Sequence, residues 1–275
     1  MSWRKKKKQM EQVKHKVKLI IGLMFAVVIG LIVLLCFKII NPSNHFKVES
    51  RIDNVKKIGK IKDSNYEAAG WLRIQGTDVD VPVLYSDDKT VDFPAEVEDF
   101  VWINNYDKSF KRQMNISGHN IFNLSAHPKI KSSSFHRLEQ LMAFIYYDFA
   151  KNNEYIQLTW DGKDYVYKIF YVGFINSTDA AFMFNIDDAT DEQIKFEEEV
   201  LKKSNFYDYD IDVNEKDKLI SITTCTRFYG VNSDVEFYVV GRMLREGEKI
   251  EHYKVTKNSN YNDIEKKLKG DENNE

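Results

Sequence analysis

The most informative stretch of this 275-residue chain is Ser221-Ile222-Thr223-Thr224-Cys225-Thr226-Arg227. The apolar and β-branched residues from Leu219 to Thr224 predict a β-strand, which places Cys225 at the strand's end. The chain has one other cysteine, Cys36, which lies in an apolar segment near the N-terminus. Because Cys225 has no evident disulfide partner, we interpret it as a free thiol that serves chemistry.

A histidine stands at the end of another predicted strand, about a hundred residues earlier, in Gly118-His119-Asn120. Two rigid strand ends can present a thiol and an imidazole across one cleft. These groups have ordinary pKa values of about 8.5 and about 6.5 and are the usual parts of acyl transfer, in which the thiolate attacks a carbonyl and the imidazolium protonates the leaving amine. The alternative is that Cys225 is a small buried hydrophobe and His119 an ordinary loop histidine.

The rest of the chain predicts a protein made mostly of strands. A hairpin is expected around Asp161-Gly162-Lys163, and Thr190 to Ser204 is the clearest helix, with Thr190 and Gln193 as its capping box. Further strands are predicted at 71–74, 79–85, 100–103, 115–117, 155–160, 164–172 and 235–244. Because strands and helices do not alternate regularly, the pattern favours a mostly antiparallel β-barrel decorated by helices.

The N-terminal region predicts a membrane anchor. Residues 19–37 contain no charged side chain, and a helix of that length spans the hydrocarbon core of a bilayer. Residues 1–18 carry eight basic side chains against the single acid Glu11, which predicts a cytoplasmic N-terminus and an extracellular remainder. A cleaved signal peptide is the alternative, but its apolar region would be shorter and followed by small residues, whereas Cys36-Phe37-Lys38 follow here.

These observations divide the chain into five parts. We expect a basic cytoplasmic leader over 1–18, a transmembrane anchor over 19–40, a helical segment packing on the domain over 41–65, one domain over 66–252 and a polar, disordered tail over 253–275. Without its basic leader the exported part is clearly acidic, which argues against a nucleic-acid partner.

Three blocks of the sequence, in this order behind the predicted anchor, resemble the sortase family and within it the class B enzymes. The resemblance runs from about Ala69 to Arg245. The predicted helix at Thr190 is similar to the helix that class B sortases insert before the cysteine strand. The blocks are Gly70 to Thr77 followed by Asp80 to Leu84, Ser117-Gly118-His119-Asn120, and Ile222-Thr223-Thr224-Cys225.

The resemblance implies a sortase-like closed β-barrel and a cysteine transpeptidase without a cofactor, at the surface of a Gram-positive cell. Such an enzyme cleaves a C-terminal sorting signal of an exported protein and passes the acyl group to an amine on a peptidoglycan precursor or a pilin subunit. Cys225 carries over as the nucleophile and His119 as the general acid and base. The same motifs supply the expected substrate contacts, Thr223, Thr224, Ser117 and Asn120.

The chain departs from the family pattern at the catalytic arginine. That arginine usually lies on the strand after the cysteine, five residues before a glycine, and the corresponding residue here is Glu236. A carboxylate cannot donate to a developing oxyanion and would repel it. Arg227 is the nearest replacement because it lies two residues past Cys225, whereas Arg242 is expected to lie roughly 20 Å away along the strand.

Three alternatives remain open from the sequence. A catalytically impaired sortase-fold scaffold would explain Glu236, although a pure scaffold has no chemical reason to keep both thiol and imidazole. An L,D-transpeptidase usually has Ser-His-Gly-Cys close together, and Cys225 lacks such neighbours. No metal site is expected, since His127 and His136 lack the spacing and companions of zinc ligands.

Overall fold

The computed structural model separates the chain into two units, Met1–His45 and Phe46–Glu275. In the first unit, residues 16–30 form helix α1, and its large apolar side chains are exposed. Within the described part of the chain, no helix is both long and apolar enough to cross a membrane. The predicted anchor extends into residues 31–40, which lie outside that part. The described residues are 3, 10, 14, 16–30, 46–61, 65–88, 100–105, 107–132, 138–184 and 189–270.

The second unit is built around a β-barrel. Its elements are α2 (Ile52–Ile58), β1 (Tyr66–Ile74), β2 (Asp80–Ser86), β3 (Val101–Ile103), β4 (Gln113–Gly118), the 3₁₀ helix η1 (Leu138–Ile145), α3 (Tyr147–Ala150), β5 (Tyr155–Trp160), β6 (Lys163–Asn176), α4 (Ser177–Phe184), α5 (Asp191–Ser204), β7 (Tyr207–Tyr209), β8 (Leu219–Cys225), β9 (Val235–Met243), β10 (Val255–Lys257) and α6 (Tyr261–Gly270).

Eight strands close the barrel in the order β1-β2-β3-β4-β8-β9-β6-β5. The β2–β3 and β4–β8 pairs are parallel, and the other pairs are antiparallel. Alternating side chains of these strands, such as Leu72, Ile116, Ile222 and Val239, form a fully buried core. The prediction of a mostly β closed barrel with helices around it is therefore confirmed.

The structure contains the hairpin turn and the helix cap that the sequence predicted. The β5–β6 hairpin turns at Asp161 and Gly162, which have φ angles of 47° and 70°. Positive φ at both positions suits a two-residue hairpin turn. Helix α5 begins after Thr190, whose hydroxyl accepts from the Gln193 N–H, while the Gln193 side chain accepts from the Thr190 N–H. The predicted hairpin and capping box are both confirmed.

Two predicted boundaries need correction. The helix expected over 41–65 is limited, among its described residues, to α2, in which Val55 and Ile58 pack against a small cluster around Leu84. The tail predicted to be disordered over 253–275 instead contains β10, which pairs with β7, and α6. It is ordered because Tyr261, Ile264 and Leu268 bury their side chains in the main core. Residues 271–275 lie outside the described part.

Candidate active site

The parallel pairing of β4 with β8 brings the two sequence motifs to the same edge of the barrel. Gly118 pairs with Thr224 at the ends of these strands, and the Thr224 hydroxyl donates to the Gly118 carbonyl at 2.7 Å. Because parallel strands run in the same direction, the next residues lie at the same edge of the barrel: His119 directly follows β4, and Cys225 is the last residue of β8. The structure thus brings together the histidine and cysteine that the sequence singled out.

Cys225 is a free, exposed cysteine at the last position of β8. Partial burial of its sulfur raises the pKa of the thiol, and the nearby Glu236 carboxylate raises this pKa further. The positive charge of Arg227 acts in the opposite direction and lowers the pKa of Cys225. The thiol is therefore mostly protonated at neutral pH, so it must lose its proton before it can attack a carbonyl.

The His119 imidazole packs on the indole ring of Trp102. Their ring centroids are 4.7 Å apart with an interplanar angle of 53°. Trp102 lies on β3 opposite Ser117 of β4, so neighbouring strands set the positions of both rings. The Ser117 hydroxyl accepts from the Asn104 side-chain amide at 2.5 Å. The packing of the His119 ring on Trp102 restricts the imidazole to the barrel edge at which Cys225 also lies.

Asn120 joins the loop after His119 to the nucleophile's backbone. Its side-chain amide donates to the Cys225 carbonyl at 3.0 Å and to the Asn123 carbonyl at 3.1 Å, and its side-chain oxygen accepts from the Asn123 N–H at 2.9 Å. Asn120 is buried, with 5% of its surface exposed. The side chain of Asn120, which was expected to contact substrate, is thus engaged with the backbone of Cys225 and Asn123 in this structure.

A buried carboxylate lies beneath the same loop. Glu139 of η1 is fully buried, and its Oε1 accepts the backbone N–H groups of Ile121 and Phe122 at 2.9 and 3.1 Å. Asn123 donates to the Glu139 carbonyl at 2.9 Å. The loop that follows His119 is therefore tied at its backbone to η1 and, through Asn120, to β8.

Glu236 lies directly opposite Cys225 in the β8–β9 register. Its Oε2 accepts from the Thr223 hydroxyl at 3.1 Å and from the Tyr238 hydroxyl at 2.9 Å. The Thr223 hydroxyl also lies 3.2 Å from the Phe237 carbonyl. The hydroxyls of Thr223 and Thr224, both expected to contact substrate, are thus engaged within the barrel in this structure.

The two candidate arginines occupy very different places. Arg227 is exposed beside Cys225, and its backbone N–H donates to the Leu124 carbonyl at 3.0 Å, which joins the two motif loops. Arg242 pairs with Leu219 at the other end of β8 and is 1% exposed. Its guanidinium forms a bidentate ion pair with Glu248 at 2.5 and 2.9 Å. Of the two, Arg227 is therefore the one available to the site.

The sequence reading missed Trp102 and Glu139. The sequence held a signal for each residue. Trp102 lies between the apolar residues Val101 and Ile103, so its side chain is expected on the opposite face of the sheet from theirs. Glu139 interrupts the apolar run Leu138–Ile145, and a carboxylate there is expected to be buried with hydrogen-bond donors. Among the described residues, no group of three or more His, Cys, Asp or Glu is placed to hold a metal ion.

Comparisons with known proteins agree on one family. A family model described as the sortase domain matches residues 72–244. The chain is similar in structure to sortase B of Clostridium perfringens, at 18% identity and a TM-score of 0.53, over 70% of this chain and 99% of that one. It is also similar to a Staphylococcus aureus sortase B–substrate complex, at 17% identity and a TM-score of 0.52, over 77% and 92% of the two chains. No curated protein sequence matches it significantly.

Proposed function

Since the chain belongs to the sortase family, we propose that it is a membrane-anchored cysteine transpeptidase of the class B type. The observation that supports this most directly is the parallel β4–β8 pairing, in which the strand ends that carry His119 and the free Cys225 are neighbours. In this proposal the enzyme cleaves a C-terminal sorting signal on an exported protein. It then transfers the new acyl group to an amine on a peptidoglycan precursor or a pilin subunit.

The first half-reaction follows from the state of the thiol. Because the pKa of Cys225 is raised, the imidazole of His119 must take the proton as the sulfur approaches the substrate carbonyl. The sulfur–carbon bond forms and a tetrahedral intermediate develops. The intermediate collapses as the carbon–nitrogen bond breaks, and the imidazolium gives its proton to the leaving amine. The product is a thioester on Cys225, which divides amide exchange into two easier steps.

Arg227 is our candidate for stabilising the negative charge of the tetrahedral intermediate. It is exposed, it lies two residues past the nucleophile, and its charge already lowers the pKa of the Cys225 thiol. In this proposal its guanidinium donates to the oxyanion that forms on the substrate carbon attached to the Cys225 sulfur. Thr223, Thr224 and Ser117 remain candidate substrate contacts through their side chains or backbone.

Membrane attachment is part of the proposal. Residues 16–30 form a helix with large apolar side chains exposed, such as Leu23 at 60% and Phe25 at 68%, and the apolar sequence continues to residue 37. Apolar side chains on every side of a helix suit a lipid environment. The basic leader supports a cytoplasmic N-terminus and an extracellular catalytic domain.

Mass spectrometry of the full chain in mild detergent tests the proposed reaction. The protein is mixed with a library of peptides resembling sorting signals, beside Cys225→Ala, Arg227→Ala and Arg227→Lys variants. We expect an acyl adduct on Cys225 that disappears in Cys225→Ala. The adduct should form more slowly in Arg227→Ala, with partial recovery in Arg227→Lys.

One observation favours a second function, that of a catalytically impaired scaffold on the cell surface. Glu236 lies opposite Cys225, where it raises the pKa of the thiol and opposes an oxyanion. If a folded protein with a titratable Cys225 thiol gives no adduct with any peptide, the scaffold function replaces the transpeptidase.

A further inference from the structure

The position of Glu236 places a negative charge next to the reacting sulfur. Opposite residues on antiparallel strands have Cβ atoms about 5 Å apart, and Glu236 is paired in this way with Cys225. The Glu236 carboxylate is only partly buried, so a ligand in the solvent can reach it. A group that binds to Glu236 is therefore held close to anything attached to Cys225.

The carboxylate is oriented by hydroxyl groups, and it forms no ion pair with a basic side chain in the described part of the chain. Thr223 and Tyr238 both donate to Oε2. Among the residues that the structure describes, no lysine or arginine forms an ion pair with Glu236, whereas Glu248 of the same barrel binds Arg242. A hydrogen-bonded, partly exposed carboxylate that forms no ion pair with a described lysine or arginine favours a ligand that brings its own positive charge.

We propose that Glu236 binds the ammonium group of the acceptor, so that this chain uses a carboxylate to select cationic primary amines for the second half-reaction. This inference rests on the proposed transpeptidase function. It assigns a task to the residue that otherwise conflicts most with that function.

A carboxylate at this position can bind the acceptor because the acceptor amine carries a positive charge. Aliphatic primary amines have pKa values of about 8 to 10, so most of the acceptor is an ammonium ion at neutral pH. A carboxylate attracts this form and can hold its nitrogen near the thioester carbon on Cys225. The charge of the carboxylate attracts the ammonium ion but not neutral water, so binding at Glu236 favours aminolysis of the thioester over hydrolysis.

The second half-reaction removes two protons from the bound ammonium group. The bound ammonium gives one proton to the neutral imidazole of His119, and the amine nitrogen then forms a bond to the thioester carbon. The carbon–sulfur bond breaks and the electron pair stays on sulfur. The second proton leaves the nitrogen and ends on the Cys225 thiol, while His119 releases the first proton to water. The products are an amide, the free thiol and one proton.

The experiment compares a charged with an uncharged nucleophile on the full chain. The acyl-enzyme is formed with an active peptide and then exposed to glycinamide, which is mostly a cation at pH 7, or to hydroxylamine, which is mostly neutral. Glu236→Gln keeps the shape and the oxygen that accepts from Thr223 and Tyr238. Asp234→Asn is the matched control, because it removes the same charge from an exposed neighbour.

We expect Glu236→Gln to slow the reaction with glycinamide about tenfold, the loss typical of one hydrogen bond to a charged group. Because loss of the Glu236 charge acts alike on the oxyanion formed with any nucleophile, the readout is the ratio of rates: the glycinamide-to-hydroxylamine ratio should fall about tenfold, while the hydroxylamine-to-water ratio stays within about twofold. Equal losses with both nucleophiles, or the same loss in Asp234→Asn, would overturn the ammonium site.

A second measurement needs no peptide substrate. Iodoacetamide alkylation of Cys225 at pH 7 is followed with glycinamide, with neutral acetamide, and with sodium chloride at equal ionic strength. An ammonium bound at Glu236 should lower the pKa of the thiol and accelerate alkylation, and Glu236→Gln should remove this acceleration. If no peptide acylates the enzyme, the proposed function fails, but glycinamide-dependent alkylation would still support the site; without that acceleration the inference fails as well.

Discussion

At the residue scale, the chemistry of the site depends on the charges around one sulfur atom. Glu236 and Arg227 act on the Cys225 thiol in opposite directions, the first raising and the second lowering its pKa. Burial of the sulfur contributes the largest effect and raises the pKa. The two charged neighbours can therefore be separated by substitution.

The first prediction concerns the titration of Cys225. We expect Glu236→Gln to shift the midpoint of the thiol's titration to lower pH and Arg227→Ala to shift it to higher pH. The measurement is the rate of iodoacetamide alkylation of the full chain as a function of pH. Shifts in the same direction for both variants would contradict the assignment of these charges.

The second prediction concerns Asn120 as a positioning residue. Asn120→Ala removes the hydrogen bonds to the Cys225 and Asn123 carbonyls, which should cost about 1–3 kcal/mol in unfolding free energy. It should also lower kcat/KM for acylation about tenfold, because a small displacement of the nucleophile is costly. The pKa of Cys225 should change little.

Asn152→Ala serves as the comparison for Asn120→Ala, since the side-chain amide of Asn152 also donates to a backbone carbonyl, that of Asp148, at an exposed position. Acylation and thermal unfolding are measured for both variants. If Asn120→Ala acylates as fast as the parent protein, Asn120 has no positioning role.

The sequence predicted the cysteine and the histidine that the fold brings to one edge of the barrel, but not the surroundings of this pair. Cys225 and His119 were found because each ends a strand of recognisable pattern. Trp102 and Glu139 were missed because their roles depend on which strands become neighbours and on which loop covers η1. Those are non-local contacts, and residue type alone does not specify them.

At the element scale, α5 contains a buried acid with no counterion among the described residues. Glu197 is 1% exposed, and its Oε2 accepts from the Gln113 side-chain amide at 2.9 Å. Burial raises the pKa of Glu197 well above its ordinary value. The Glu197 Oε1 and the Gln113 Oε1 are both buried without a hydrogen-bond partner, which a proton on Glu197 would remedy.

The third prediction follows from this raised pKa. The folded state keeps Glu197 protonated while the unfolded state ionises it above about pH 4.5. The contribution of Glu197 to stability is therefore complete below that pH and is lost as the pH rises toward the folded-state pKa. Glu197→Gln should stabilise the protein by about 1 kcal/mol at pH 8 and have little effect at pH 4.

Thermal unfolding of the full chain at the two pH values measures this difference. Glu199→Gln, an exposed substitution on the same helix, provides the control and should change the melting temperature little at either pH. A destabilising effect of Glu197→Gln at pH 8 would show that the carboxylate is ionised in the folded protein.

Helix α5 was predictable at its ends but not on its buried face. The pair Thr190 and Gln193 is a local signal that specifies where the helix begins. The three consecutive acids from Glu197 to Glu199 look alike in sequence and suggest a solvated surface. Which of them is buried depends on how α5 rotates to pack against Gln113 of β4, and this is decided by tertiary contacts.

At the scale of the whole molecule, the C-terminal segment completes the main core. Tyr261 is 3% exposed, and its ring lies 5.2 Å from that of Tyr207 and 6.3 Å from that of Phe206. The Lys267 ammonium of the same helix lies over the ring of Phe228, three residues past Cys225, at 5.4 Å from its centroid. Helix α6 thus supports the loop that follows the nucleophile.

The fourth prediction is that Tyr261→Ala destabilises the protein by about 3–5 kcal/mol, the usual cost of removing a buried aromatic ring. Lys266→Ala, an exposed substitution one turn further along, should change the unfolding free energy by less than about 0.5 kcal/mol. Denaturant unfolding of the full chain measures both. Equal stability of the two variants would contradict the core role of α6.

The C-terminal segment also shows where average composition misleads. Its many charged and polar residues suggested disorder, yet Tyr261, Ile264 and Leu268 recur at spacings of three and four. This is the period of one helical face. These three side chains are enough to order the segment because they pack against an apolar surface of the barrel. The composition of a short window does not reveal that surface.

The β4–β8 pairing has a consequence for how the protein acquires activity during folding. It joins residues 113–118 to residues 219–225, a long loop closure whose entropy must be overcome before the contact forms. An incomplete chain, or an intermediate with an open barrel, therefore lacks the pairing that brings His119 and Cys225 to one edge. Closure of the barrel and assembly of the proposed site are the same event.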